Sequence, residues 1–328
     1  MGAVTHEARM VIASAALVFG LGATSLRAAE ITVTHYGTSM YGVPYAVAKQ
    51  NDLFKAAGMT TPGFLTSEGG GTSVRNALAG DIPYGEVATS AAIAAIKQGL
   101  PITIVNSGVN TVGDILWIAR KDDPRPMGPK DIGGMVIGYS SPKGGSDMVL
   151  SDILRQTGST AQKRTVGGAG SSLTALRQKA VDITWTQEPI WSREKDNFRL
   201  VFNSADFIPN VSQTVGIVRT DFLRAHPDVI RSIIEARRRA VDLIYRDPKA
   251  AADATAREYK MDPAILLSAI NTVSTIKGVN YWSRGDIDYK GLEISLKILQ
   301  DVEAVDRQPV DWSKVVSEEA LPPDLRRH

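Results

Sequence analysis

Glycine, serine and threonine gather at the ends of short β-like runs in this chain, and each cluster opens a helical pattern. In the first half the clusters are Gly37-Thr38-Ser39-Met40-Tyr41, Glu68-Gly69-Gly70-Gly71-Thr72-Ser73 and Val87-Ala88-Thr89-Ser90. Further on come Ser140-Ser141-Pro142-Lys143-Gly144-Gly145-Ser146 and Thr186-Gln187-Glu188-Pro189. Loops of this kind offer unpaired backbone N–H groups, hydroxyls and the positive end of a helix dipole, about half an elementary charge. That suits the grip of a small anion or polar group without a formal positive charge in every loop. For any one loop the competing reading is that Ser and Thr are N-caps and Gly a turn residue. Recurrence at equivalent strand ends favours a shared cleft. The expected contacts are Thr38, Ser39, Met40, Tyr41, Gly71, Thr72, Thr89, Ser90, Ser141, Gly144, Gly145, Ser146, Trp185, Gln187 and Glu188. Trp185 either stacks on the ligand or packs between lobes, and Glu188 either accepts a ligand amine or braces the hinge. Lys143 or Arg75 would add charge if either faces inward, and His35 is either a strand-end residue or a ligand contact.

Arrangements for catalysis are thin. The histidines are His6, His35, His226 and His328, too scattered for a multi-histidine metal site. No G-x-S-x-G elbow and no G-x-x-x-x-G-K-[ST] loop occurs. Gly168-Ala169-Gly170 follows a strand, but Leu173 stands where a dinucleotide fingerprint needs its third glycine. The chain has no cysteine, which excludes disulfides, thiolate nucleophiles, iron–sulfur clusters and a lipid-modified cysteine anchor. Binding without chemical change, and without cofactor or metal, is the expectation. Lys+Arg 37 against Asp+Glu 35 is too balanced for a protein that grips nucleic acid by a broad basic field. Arg237-Arg238-Arg239 reads as a solvated helix face.

The elements that would position these loops alternate. Strands are expected at Ile31–Tyr36, Gly63–Thr66, Ile82–Val87 and Ile102–Val105, with helices at Pro44–Ala57, Thr72–Ala79 and Ser90–Gln98 between them. After the polar break Asp122-Asp123-Pro124-Arg125-Pro126 the pattern restarts, with strands near Met135–Tyr139, Lys163–Val166, Val181–Trp185 and Leu200–Phe202. This βα alternation predicts mostly parallel sheets covered by helices, and 328 residues suffice for about two domains. Helices starting at Pro227, Pro248 and Pro263 follow, each with proline in its first turn. Ile115–Ala119 and Val215–Val218 read as paired crossings on which two lobes hinge. The expected division is 30–118 with 215–328 as one lobe and 119–214 as the other. Residues 1–29 read as a cleaved export signal. Met10–Ala23 is apolar and uncharged, shorter than the ~20 residues a membrane span needs, with small residues at its far end.

At the loops the sequence resembles the type 2 periplasmic solute-binding proteins of the sulfonate, taurine and nitrate importer group. Tyr41-Gly42-Val43-Pro44-Tyr45-Ala46-Val47-Ala48, then Leu53-Phe54-Lys55-Ala56-Ala57-Gly58, is similar to the family's first loop and its helix ending "GLFKKEGL". Ala77-Leu78-Ala79-Gly80-Asp81-Ile82-Pro83-Tyr84-Gly85 matches the turn "AL-x-G-x-VDFG", and Lys130-Asp131-Ile132-Gly133-Gly134 matches "KDLKGK". Ala175-Leu176, Val181-Asp182 and Glu188-Pro189 match "AL-x-x-G-x-VDA…EP", with Lys179-Ala180 where a glycine is usual. The resemblance implies a two-lobed α/β fold, one small anionic ligand between the lobes, and delivery to an ABC transporter permease in the inner membrane. It implies a monomer in the periplasm and no catalysis. Related thiamine-pyrimidine synthases carry a cysteine-rich motif that this chain lacks. A sulfonate, taurine-like compound or aromatic or aliphatic carboxylate is the expected ligand, with nitrate, a thiamine-type pyrimidine, or a sensing role as alternatives.

Overall fold

The computed structural model describes residues 2, 29–67, 69–125, 128, 130–208, 211–276 and 278–327. The expected export signal, His6, Glu68 of the glycine cluster and His328 lie outside the described residues.

The first half builds β1 (Glu30–Thr34), α1 (Val43–Gln50), α2 (Leu53–Ala56), β2 (Gly63–Ser67), α3 (Gly70–Ala79), β3 (Tyr84–Ala88), α4 (Thr89–Lys97) and β4 (Ile102–Ser107). The single helix expected over 44–57 is broken at Asn51-Asp52, where Asp52 is left-handed at φ 52°. Then come β5 (Ile115–Arg120), β6 (Val136–Tyr139), α5 (Gly145–Thr157), β7 (Gln162–Thr165), α6 (Ala169–Arg177), β8 (Ile183–Gln187), α7 (Ile190–Glu194) and β9 (Phe198–Asn203). Last are β10 (Thr214–Arg219), α8 (Thr220–Ala225), α9 (Pro227–Arg246), α10 (Pro248–Tyr259), α11 (Pro263–Ser274), α12 (Tyr289–Asp301) and α13 (Trp312–Val315).

Two five-stranded sheets result, ordered β2-β1-β3-β10-β4 and β7-β6-β8-β5-β9. They are the same design. In each, the fourth strand is antiparallel to both neighbours, while the two other pairings are parallel. Each odd strand also follows a passage between the lobes. β5 is the first strand after the chain leaves the first sheet, and β10 the first after it returns. Ile115–Ala119 and Val215–Val218, expected as the crossings themselves, are therefore interior strands of the two sheets. Their uninterrupted apolar character reflects burial on both faces, which a crossing segment and a central strand share. The chain passes between lobes over residues 108–114 and 204–213. These passages are tied together: Gly108 N–H donates to the Thr214 carbonyl at 2.9 Å, and Gln213 N–H to the Val109 carbonyl at 2.8 Å.

Of the C-terminal helices, α9 packs against α1 and α2 and α10 against α1. α9 buries Ile230, Ile233, Ile234, Val241 and Ile244, the i, i+3/i+4 stripe of an amphipathic helix. The expected solvated arginine face holds only in part, because Arg237 points into the core and is 1% exposed. It pairs with the fully buried Glu86 of β3 at 2.8 Å and donates to the carbonyls of Ser283 and Gly108. Burial works against its charge, but the Glu86 carboxylate outweighs it and holds the guanidinium protonated. Arg238 and Arg239 do lie outside, paired with Glu235.

Candidate functional site

The carboxyl ends of the parallel strands in both sheets converge on one interlobe space. Thr34 and His35 come from the end of β1, Ala88 from β3, Ser140 from just beyond β6, and Trp185 and Gln187 from β8. The antiparallel strands bring their starts to the same place, so Ile115 of β5 and Gln213 and Thr214 at β10 also line it. Two helices begin there from opposite lobes, α3 behind Gly69 and α5 at Gly145 and Ser146. Their first N–H groups and dipoles make the centre favourable for negative charge, and no lysine or arginine is among the described residues lining it.

The space is tight, about 20 Å³, room for roughly one water-sized group. Trp185 of one lobe meets His35 of the other with ring centroids 5.7 Å apart, and His35 meets Tyr41 at 6.4 Å. Ser90 at the start of α4 donates to the Lys143 carbonyl across the gap at 3.0 Å. Gly70, left-handed at φ 62°, lies so close to the opposite lobe that a Cβ there would sit 2.7 Å from the Pro142 carbonyl oxygen. The lobes are shut upon each other.

Inside, the polar groups are unevenly satisfied. Gln187 is fully buried and neither its amide nitrogen nor its amide oxygen has a partner. The Gln213 carbonyl oxygen and the Ser141 hydroxyl are likewise buried and unpartnered. Buried side-chain polar groups in proteins are nearly always paired, each exception costing about 1–3 kcal/mol; Thr184 and Thr186 of β8 are unpartnered as well. Beneath Gln213 lies Asp114, which receives hydrogen bonds from Gln213 Nε2 at 3.1 Å and from the Tyr281 hydroxyl at 2.8 Å. Burial, only partly offset by these bonds, pushes its carboxyl up to about 7. Burial holds the His35 imidazole down at about 4, so the ring is neutral at pH 7. Burial also raises Glu188, whose carboxylate accepts from the Ser192 N–H at 3.1 Å.

The expected contacts sort clearly. Tyr41, Gly145, Ser146, Trp185 and Gln187 line the space. Ser141 and Gly144 shape the loop entering α5, and Ser146 is partly engaged there, accepting from the Ser140 N–H at 2.9 Å. Ser39 is a cap, accepting from the Tyr41 N–H, and exposed Thr38 donates to the His35 carbonyl. Met40 is core, its carbonyl accepting from the Trp282 indole at 2.9 Å. Thr89 is buried against Ser212, and Glu188 braces α7. Gly71 and Thr72, with Arg75 and Lys143, line a shallower outer groove of about 490 Å³ between α3, α4 and the 141–143 loop. Neither cation is among the residues lining the inner space, whereas His35 is.

The NMT1/THI5-like family model matches residues 39–251. The chain belongs to the NMT1/THI5-like family. Among solved structures it is similar to a protein of Bordetella bronchiseptica at 22% identity, TM-score 0.74, covering 89% of this chain and 95% of that one. It is also similar to the alkanesulfonate-binding protein SsuA of Xanthomonas axonopodis bound to MOPS (13%, TM-score 0.72, 88% and 98%). The periplasmic nitrate-binding protein NrtA of Synechocystis is similar too (13%, TM-score 0.68, 90% and 87%). These neighbours establish the two-lobed binding-protein fold. The fold also carries an enzyme, the desulfurization enzyme DszB (12%, TM-score 0.62, 89% and 97%). No curated protein sequence matches the chain.

For this family member, Gln213, Asp114 and Tyr281 are what reasoning from sequence missed. The search followed the carboxyl ends of strands, and these residues sit at or near the start of an antiparallel strand or on the long C-terminal segment. The one available signal was Gln213 itself, a polar residue two positions ahead of the run Val215–Val218.

Proposed function

We propose that this protein is the solute-binding component of an ABC import system, exported to the periplasm without a lipid anchor. In this reading it captures a small organic anion, a sulfonate, taurine-like compound or carboxylate, and releases it unchanged to the permease. The observation that carries the reading is Gln187, wholly buried with both amide atoms unpartnered between two helix N-termini of opposed lobes. A group that costs stability in the closed protein, at a place where a helix of each lobe begins, is explained by a ligand that satisfies it. The anion-binding neighbours of like fold, SsuA and NrtA, support the same class of solute. The export reading rests on the apolar Met10–Ala23 stretch; among the described residues no helix is long and apolar enough to cross a membrane.

The test pairs stability with binding. Mass spectrometry of what co-purifies, followed by a thermal-shift screen of sulfonates, carboxylates and nitrate, identifies the solute class. Gln187→Met, close in volume, is expected to leave the free protein as stable or stabler by about 1 kcal/mol while weakening ligand binding at least tenfold. A variant that binds as before, or chemical turnover of the bound solute, refutes the reading.

A further inference from the structure

We propose that the protein takes up a proton together with its anion: protonation of Asp114 turns the Gln213 amide, so that the interlobe space meets the solute with an NH₂ donor in place of a carbonyl oxygen. The inference rests on the anion-capture reading above and adds a proton to it.

Gln213 is 2% exposed and stands between the space and a buried polar cluster. Its amide nitrogen is 2.6 Å from the Tyr41 hydroxyl and 3.1 Å from Asp114 Oδ1. Its oxygen, the other arm of the amide, is buried and unpartnered on a residue that lines the space. The backbone is pinned on both sides, donating to the Val109 carbonyl and accepting from the Thr89 N–H at 2.9 Å. What is left to move is the amide, and half a turn about its last torsion exchanges two atoms of nearly equal size.

The proton on Asp114 decides which way the amide stands. An ionised carboxylate only accepts, so it takes the NH₂, and the oxygen is left for the space. A protonated carboxyl donates from Oδ1 to the amide oxygen, and the Tyr41 hydroxyl can donate to the second lone pair of that oxygen. The NH₂ then faces the space. In both arrangements the Tyr281 hydroxyl still donates to Asp114 Oδ2, at 2.8 Å. The first arrangement sets lone pairs against an anion. The second gives the anion a donor beside the starts of α3 and α5. An anion therefore favours the protonated form, and by linkage its binding draws a proton in.

The surroundings of Asp114 suit such a role. It is 1% exposed, and among the described residues no lysine or arginine pairs with it. Burial, joined by the negative charge of Glu188 beyond β8, outweighs the bonds from Tyr281 and Gln213 and carries the carboxyl to about 7. Glu86 adds negative charge toward Tyr41 and Tyr281 but is itself paired with Arg237. His35, also on the wall of the space, is held by burial at about 4, below the range in which Asp114 changes.

Calorimetric titration of the full protein at half-unit steps from pH 6 to 8.5 tests the coupling, with nitrate, ethanesulfonate and propionate as probes, all ionised over that range. The Kd of a probe that binds is expected to rise by about tenfold or more from pH 6 to 8.5. At pH 7, titrations in Tris and in bis-Tris, cationic buffers of different ionisation enthalpy, should show uptake of about half a proton per anion. Asp114→Asn should bind without a slope. Gln213→Met, which keeps the carboxyl but has no amide to turn, should lose the slope as well. A slope that survives Gln213→Met reports only repulsion between the anion and Asp114, and overturns the switch. Binding that does not change with pH overturns it too, and both results leave anion capture standing. If none of the three probes binds at any pH, capture of a small anion fails and this inference with it.

Discussion

Two buried groups beside the cleft titrate in opposite senses, and their opposition should be visible as a masked pH dependence of stability. His35 falls from 6.5 to about 4 because burial disfavours the imidazolium. Its contribution is full above pH 6.5 and is lost as pH falls toward 4, because the unfolded chain takes up the proton first. At 1.36 kcal/mol per pH unit the span is worth at most about 3 kcal/mol. Asp114 rises from 3.8 to about 7, again by burial first. Its carboxyl is protonated more readily in the folded protein, so its contribution is full below pH 4 and is lost as pH rises toward 7, at most about 4 kcal/mol. Between about pH 4 and 6.5 the two slopes nearly cancel. Asp114→Asn should unmask His35, gaining stability relative to the parent as pH rises from 4 to 7. His35→Asn, tolerable at the left-handed φ of 54°, should unmask Asp114 and lose ground over the same interval. The assay is urea unfolding of parent and variants at half-unit steps from pH 4 to 8. Subtracting the parent curve removes the many surface carboxylates common to all three proteins. Difference curves that stay flat within about 0.5 kcal/mol, or that slope in the same direction, refute the burial argument.

Other contacts give direct outcomes. Ser90→Ala removes one hydrogen bond that exists only between closed lobes, a net loss of about 1 kcal/mol from the closed state. It should weaken ligand binding by up to about fivefold; an unaltered Kd by calorimetry would show that the contact does not report closure. Gly70→Ala introduces a Cβ 2.7 Å from the Pro142 carbonyl, at a φ that costs an L-residue about 1–2 kcal/mol. Small-angle scattering should show a larger radius of gyration, and no change would mean that the 141–143 loop simply yields. Arg237→Leu leaves Glu86 buried without its cation and should cost roughly 3–5 kcal/mol in urea unfolding, while a loss below about 1 kcal/mol would show that the pair does not anchor the fold.

Much of the scaffold was legible because it is written in local chemistry. Pro227, Pro248 and Pro263 start α9, α10 and α11 as their fixed φ and missing N–H suggest. Short apolar runs closed by Gly, Ser or Thr gave the parallel strands and their loops. Trp185 and Gln187 were found from their place at a strand end; residues two apart on β8 share a face, and both line the gap. What stayed hidden depends on pairing at long range. Arg237 looks like its neighbours Arg238 and Arg239 until a glutamate 151 positions earlier, on another element, is seen to meet it. Thr38, Ser39 and Thr89 have the side chains of ligand contacts yet are spent on local caps and packing, and loop composition does not separate these uses.

The antiparallel strands carry the deeper lesson. A parallel sheet alone presents only carboxyl ends to a ligand, and those loops are rich in glycine and hydroxyls. By threading β10 into the first sheet and β5 into the second, the chain delivers two strand beginnings to the same rim. Those beginnings follow directly from the passages between lobes, so Gln213, with Asp114 bonded beneath it, belongs at once to the ligand wall and to the connection on which closure must turn. Glu86 and Arg237 anchor this connection from below: the pair accepts from the hydroxyl of Thr214, which opens β10, and donates to the carbonyl of Gly108 in the first passage. A Cβ on Gly108 would collide with both Glu86 and Thr214, so only glycine lets the first passage lie against the second. Affinity in such a protein includes the free energy of closing. Residues of the passages are therefore placed to set selectivity and closure together, which no loop at a strand's far end can do.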